Sequence, residues 1–372
     1  MKAVTLRDVA EAANVSIATA SRVLAGKGLA GPETQLRIRE AAEKLAYRPN
    51  KFAQSLKTRQ TQLIGVVIHN LENASFRTIA AVMQSRMREA GYQVMLCITG
   101  DDAEQERDAI STLTDYNVSA VVVVPTGLNS NLLTGLEKSG IPVVCVVRRD
   151  PSNTLETVLS ADVDGAFEGT RHLLSFGHRR IGLVVGRRST TSGSERRAGY
   201  VRALDEAGVP FDPDLIVEGP YVPQTGIAAA NTLLDLALPP TAIFIANHES
   251  ALGVMRVVSE RGLIVPDDLS LLCYEDSPWF QWQRPALSVV DSGAEALANL
   301  TADRVMQRIE GAHNGAVEYR VGQRVLSRAS CRALAINNGD DEHNSNGEPN
   351  GNDANSTGTI AAAAVFSTQS SS

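Results

Sequence analysis

Apolar residues near the start of the chain recur at helical spacing. Leu6, Val9, Ala10 and Ala13 share one face at i, i+3, i+4 and i+7. Asn14 follows, a residue that tolerates the left-handed conformation of a sharp helix exit. Ser16 is a good N-cap for a second helix running to about Leu24, with Ala20 and Val23 turned inward. A third helix is predicted to open at Gly31-Pro32-Glu33, with proline in its first turn, and Ile38, Ala41, Ala42 and Leu45 repeat the apolar spacing. Three short helices, the first two joined by a tight turn, read as a helix-turn-helix. Generic three-helix packing is the competing reading of the pattern alone.

From Leu63 onward the pattern changes to apolar runs alternating with helical stretches. The strand-like runs include Ile64–Ile68, Val94–Ile98, Val121–Val124, Val143–Val147, Ile181–Val185, Ile243–Ala246 and Leu269–Tyr274. Helical stretches such as Phe76–Ala90, Val163–Ser175, Ser194–Ala207 and Ser250–Glu260 lie between them. Repeated βα units with wholly apolar strands predict parallel sheets covered by helices on both faces. Ligands in such sheets bind outside the carboxyl ends of the strands. The stretch is too long for one typical sheet, so two lobes are expected. After Asn337 the chain is rich in Asn, Gly, Ser, Asp and Thr, with one short apolar piece at Ile360–Phe366. This composition predicts a disordered tail, and it carries no leucine heptads.

Charge sharpens the division. Residues 1–60 carry 11 Lys and Arg against 5 Asp and Glu, whereas the 372-residue chain carries 35 against 42. A basic head on an acidic body suggests that the head alone meets a polyanion. No window approaches ~18 consecutive apolar residues, and no apolar leader follows Met1, so a cytoplasmic protein without a membrane partner is expected. Cys97, Cys145, Cys273 and Cys331 are far apart, which predicts buried free thiols rather than disulfides or metal ligands. No nucleotide-binding glycine loop, metal-ligand cluster or nucleophile elbow is visible, so neither a cofactor nor an enzymatic reaction is expected.

Particular stretches carry a resemblance. Thr5-Leu6-Arg7-Asp8-Val9-Ala10 and Val15-Ser16-Ile17-Ala18-Thr19-Ala20-Ser21-Arg22-Val23-Leu24 closely resemble the head of the lactose/galactose repressor (LacI/GalR) family. Pro32-Glu33-Thr34, Leu45-Ala46-Tyr47-Arg48-Pro49-Asn50 and Ala53-Gln54-Ser55-Leu56 continue the match, which extends to about residue 334. The resemblance implies an N-terminal all-α helix-turn-helix DNA-binding head with a hinge helix. An α/β two-lobed, periplasmic-binding-protein-like effector domain would follow. The expected limits are 1–47 for the head, 48–61 for hinge and linker, 62–336 for the effector and dimerisation domain, and 337–372 for the tail. Lobe one would take about 62–160 and 291–320, and lobe two about 161–290 and 321–336, with crossings near Ser160, Val290 and Arg320.

By this match Ile17, Ala18 and Arg22 fall where family members read base edges. Arg22 can fork onto guanine, while Ile17 and Ala18 offer apolar contact, for example to a thymine methyl. Thr5, Leu6, Ser16, Thr19 and Ser21 join the DNA-facing set, the hydroxyl-bearing ones as phosphate-positioning groups. Ala25 replaces the family's usual asparagine and Gly31 a capping serine, so two polar contacts are lost. In the hinge, Asn50, Ala53 and Leu56 recur at three-residue intervals, too short a segment for a stable isolated helix. Leu56 takes the place of the leucine that wedges between base steps in the minor groove. The resemblance therefore implies a homodimeric repressor on a pseudo-palindromic operator DNA.

A small-molecule effector is implied in the cleft. The matching positions are Asn73, Phe76, Thr126, Val147-Arg148, Arg196, Tyr221, Asn247, His248 and Glu275-Asp276. Val147 and His248 stand where aspartates are usual, whereas Arg148 and Arg196 are kept. Fewer acceptors and retained positive charge predict a sugar acid, a phosphorylated sugar or another small acid rather than a neutral sugar. A regulator of the same fold controlled by a protein partner remains a competing reading. A transporter's solute-binding protein would share the lobes but has no use for a helix-turn-helix.

Overall fold

The computed structural model describes residues 4–24, 26, 30–47, 61–312 and 315–334. Asn50, Ala53 and Leu56 of the expected hinge, Ala25 and the whole expected tail lie outside these residues.

The head contains α1 (Leu6–Ala12), α2 (Ile17–Leu24) and α3 (Pro32–Lys44). Each boundary has a local cause. Thr5 and Asp8 form a reciprocal capping box at the start of α1. Asn14 takes φ 52° to turn the chain, and the Ser16 hydroxyl accepts from the Thr19 N–H at 3.1 Å. Gly31 precedes α3 without a side-chain cap, and Pro32 occupies the first turn. Val9, Ala10, Ala20, Val23 and Ile38 close a small core among the three helices.

Two six-stranded sheets follow. The first contains β1 (Leu63–Ile68), β2 (Gln93–Ile98), β3 (Ala120–Val123), β4 (Val143–Val146), β5 (Glu156–Ser160) and the later β11 (Glu318–Val321), in the order β11-β5-β4-β3-β1-β2. One face packs on α4 (Ala74–Glu89) and α12 (Ala294–Ile309), where Ile64 and Val66 meet Ile79, Met83 and Val305. The other face meets α5 (Ala103–Asp115) and α6 (Ser130–Lys138) through Ile110, Leu113 and Leu133.

The second sheet contains β6 (Ile181–Val185), β7 (Ile216–Glu218), β8 (Ala242–Ile245), β9 (Ser270–Tyr274), β10 (Ser288–Asp291) and β12 (Arg324–Leu326), in the order β12-β10-β9-β8-β6-β7. It is covered by α7 (Asp162–Ser175) and α8 (Thr191–Glu206) on one face. On the other lie α9 (Pro223–Leu234) and α10 (His248–Glu260), with the short α11 (Pro278–Trp282) nearby. Gly199 lets α7 and α8 approach closely, since a Cβ there would lie 2.2 Å from the Val163 carbonyl oxygen. The chain passes between sheets three times, after β5, after β10 and after β11.

Two details differ from the pattern reading. β12 runs antiparallel to β10. It follows β11 after only Gly322 and Gln323, with no crossover helix to impose a parallel direction. β2 is an edge strand, so Leu96 and Ile98 are exposed and Cys97 is only half-buried, whereas Cys145, Cys273 and Cys331 are buried. Among the described residues no helix is long and apolar enough to cross a membrane.

Candidate functional site

On the head, α2 buries Ala20 and Val23 and turns Ile17, Ala18 and Arg22 outward. Ile17 is exposed without an apolar cover, and Arg22 makes one contact, Nε to the Ala18 carbonyl at 3.2 Å. The hydroxyls of Ser16 and Thr19 lie 2.8 Å apart at the start of the helix. Ser21 is half-buried, Thr5 is exposed beside Asp8, and Leu6 packs against the head's own core. The outward face of α2 thus joins one guanidinium, two apolar side chains and a hydroxyl-bearing N-terminus. That chemistry suits major-groove edges and phosphates.

The second site is a cavity of about 200 Å³ at the carboxyl ends of strands from both sheets. His69 and Asn70 follow β1, Asp101 follows β2 and Val147 follows β4. From the second sheet come Arg187, Ser192 and Arg196 after β6, Tyr221 after β7, Asn247 and Glu249 after β8, and Glu275 after β9. Asn73 and Asn247 each do two jobs. Their side-chain oxygens cap α4 and α10, while their amides donate to Glu275 Oε2 at 3.2 and 3.3 Å. His248 Nδ1 donates to the same oxygen at 2.7 Å. Glu275 therefore gathers bonds from both lobes. Val147 and Glu275 adopt left-handed φ of 66° and 69° at the exits of β4 and β9, a strained choice for non-glycine residues that lie on the cavity wall.

The charges are largely paired. Arg196 is buried, with Nε 3.2 Å from Asp162, Nη1 donating to the Ala246 carbonyl at 2.5 Å, and its plane 3.8 Å from the Tyr274 ring centroid. Asp162 in turn accepts from the Tyr274 hydroxyl and from Gln323 Nε2, at 3.0 and 2.9 Å. Burial works against the Arg196 charge, but Asp162, the tyrosines and Glu275 outweigh it and keep the guanidinium ionised. Arg148 donates to Asp101 at 2.7 Å. Burial, helped by Arg148, pulls His69 down to about 4, so its ring is neutral and Nε2 donates to the Val124 carbonyl at 3.0 Å. Burial opposes ionisation of both His248 and Glu275, yet their mutual bond raises the histidine and lowers the carboxyl. Burial pushes the Glu249 carboxyl up. A second interlobe contact joins Glu195 of α8 to Arg320 at 2.7 Å and Arg149 at 3.6 Å.

Of the expected effector residues, Asn73, Phe76, Arg196, Tyr221, Asn247 and Glu275 line the cavity together. Thr126, Arg148 and His248 stand behind the lining. Thr126 is held by Glu106 through its N–H and hydroxyl at 2.7 and 3.0 Å, Arg148 serves Asp101, and His248 serves Glu275. Asp276 pairs with Arg328 at 2.6 Å. The retained positive charge of Arg148 and Arg196, expected to meet an anion, is instead faced by protein carboxylates, the partly exposed Asp101 and the buried Asp162. Sequence reasoning did not name His69, Asn70, Asp101, Arg187, Ser192 or Glu249. Their positions just beyond β1, β2, β6 and β8 were the signal that could have found them.

Comparison with known proteins finds relatives for both the head and the two lobes. Residues 5–50 match the model of bacterial regulatory proteins of the lacI family, and residues 170–331 that of a periplasmic binding protein-like domain. The HTH-type transcriptional regulator DegA of Bacillus subtilis (strain 168) is 32% identical over 304 residues, 81% of this chain and 89% of DegA. The HTH-type transcriptional repressor PurR of Vibrio atlanticus (strain LGP32) is 28% identical over 331 residues, 89% of this chain and 99% of PurR. Among solved structures, the lac repressor dimer bound to operator and the anti-inducer ONPF superposes with a TM-score of 0.79 at 28% identity, covering 89% of this chain and all of that one. These relatives are regulators rather than enzymes. With its helix-turn-helix head and its two βα lobes around a polar cleft, the chain belongs to the lacI family of DNA-binding transcriptional repressors.

Proposed function

We propose that this repressor binds a pseudo-palindromic operator as a homodimer and that a sugar, sugar acid or phosphorylated sugar in the interlobe cleft sets its operator affinity. The observation that carries the effector reading is the Glu275 carboxylate, bonded at once to Asn73 of the first lobe and to Asn247 and His248 of the second. A small molecule on that carboxylate competes with or reinforces the interlobe bonds, so it binds one lobe arrangement better than another. The dimer reading draws on exposed apolar side chains in both lobes, Leu96 and Ile98 on the edge strand β2 and Leu252 and Trp282 in lobe two. Such groups favour a covered face. Ile17, Ala18 and Arg22 read base edges, Thr5, Ser16, Thr19 and Ser21 position phosphates, and Leu56, with Asn50 and Ala53, wedges the minor groove.

The test begins with sites recovered from genomic footprinting. Sedimentation on such a site should give two chains per symmetric duplex, with affinity falling steeply as salt rises. Fluorescence anisotropy in the presence of candidate metabolites then reads the coupling. One chain on an asymmetric site would end the dimer reading. Operator affinity that ignores every ligand shown by calorimetry to occupy the cleft would end the effector reading.

A further inference from the structure

We propose that the first turn of α8 and Arg187 form an oxyanion subsite within the cleft, so that the effector carries a phosphate or carboxylate group at that end. The inference rests on the cleft being the effector site and adds a chemical class to it. Arg148 and Arg196 do not supply the charge, since Asp101 and Asp162 already face them. Arg149 and Arg188 are also paired, with Glu318 and Glu218. Arg187 lines the cavity and makes no ion pair among the described residues.

The turn that carries Arg187 is fixed against the helix. Its carbonyl accepts from the Thr190 N–H at 3.0 Å and from the Thr190 hydroxyl at 2.8 Å. A Cβ on Gly193 would lie 2.2 Å from that carbonyl oxygen, so glycine is what permits the close approach. Thr190 then caps the Gly193 N–H at 3.2 Å, and Ser194 N–H returns to the Thr190 carbonyl at 3.0 Å. Among the described residues no acceptor serves the N–H groups of Thr191 and Ser192, at the positive end of a 16-residue helix.

Ser192 gives the independent sign of a ligand. It lines the cavity, is 2% exposed, and its hydroxyl has no hydrogen-bond partner among the described residues. A hydroxyl without a protein partner on a cavity wall is available to donate to a ligand oxygen. Of the carboxylates on the wall, Glu249 is pushed up by burial, which favours its neutral form, and the other two are paired. Asp101 is matched by Arg148, and Glu275 by His248 and Arg196. The cavity's volume of about 200 Å³ suits an acid or phosphate ester of few carbons.

Thermal melting and calorimetry on the full chain test this with sodium phosphate and sodium acetate, each against sodium chloride at equal ionic strength. One or both anions should stabilise the protein beyond chloride. The apparent affinity should fall roughly tenfold in Arg187→Gln, the loss expected for one charged hydrogen bond, and by a smaller factor in Ser192→Ala. A response to phosphate alone assigns a phosphoryl group, and a response to acetate assigns a carboxylate. No stabilisation by either anion, or a response unchanged in Arg187→Gln, overturns the subsite. Operator binding by the unaltered protein in the same buffers separates the two readings. If binding persists while the anion response is absent, the subsite alone fails; if operator binding itself is absent, the regulator reading fails.

Discussion

On α2 the side chains available for recognition stand exposed and nearly unengaged, whereas around the cleft the carboxylates, amides and most of the cations already hold protein partners. Arg22 gives up one nitrogen to its own helix, and Ile17 and Ala18 touch little. Glu275, in contrast, bonds Asn73 from 202 positions away and His248 from 27. The difference separates two kinds of recognition. A face held ready for DNA can change its preference without disturbing the fold. A cleft whose walls bond to each other across two lobes ties ligand contact to stability and to lobe geometry.

Four experiments break or sharpen that contrast. The largest effect is expected at Arg196. Arg196→Ala leaves Asp162 and Glu275 without their buried cation and should cost about 3–5 kcal/mol in chemical denaturation. A loss near the ordinary surface range of about 0.5 kcal/mol would show that these carboxylates are not truly sequestered. Next in size, Arg22→Ala should leave that denaturation curve almost unmoved. It should cost about 1–3 kcal/mol of discrimination at one symmetric pair of operator positions, read by binding to a panel of single-base variants. Equal weakening on every sequence would make Arg22 a phosphate contact instead.

The third experiment uses pH. Glu275 is lowered from its ordinary 4.5, so its contribution is present above that value and is lost as acid takes the pH through the folded value. His248 is raised from 6.5, so its contribution is complete below 6.5 and is lost as pH climbs through the folded value. The pair should therefore stabilise most between these limits. Stability should decline above 6.5 in the natural protein and decline less in His248→Gln; parallel curves would remove the charge from that histidine. The smallest effect is local to the head. Gly31→Ser should cap α3 and raise stability by a few tenths of a kcal/mol, on the order of a glycine-to-serine N-cap exchange, visible as a small rise in melting temperature.

Much of the molecule was readable from local pattern. The left-handed turn at Asn14, the Ser16 cap and the start of α3 at Pro32 each depend on neighbours a few residues away, and each stands where periodicity and capping put it. The runs at β1, β6 and β9 were legible because strands buried on both faces are continuously apolar. Short or mixed strands such as β7 and β12 gave no such run. The start of α8 was placed three residues late, at Ser194, because its first turn is marked only by the Thr190 cap. That turn carries Ser192 into the cavity.

The sequence by itself determined the head, the alternation of strands and helices and the family. The elements follow from propensities and periodicities within a few turns of chain, whereas Asn73, Phe76, Arg196, Tyr221, Asn247 and Glu275 were reached through the family resemblance. Only the tertiary structure decided what the charges do. Arg148 meets Asp101 and Arg196 meets Asp162 across loops distant in sequence, Glu106 claims Thr126, and Arg187, exposed at the cavity, makes no ion pair among the described residues. A guanidinium's availability to a ligand depends on which carboxylate lies within a few ångströms of it. That distance is set when the two sheets pack, after every local choice has been made.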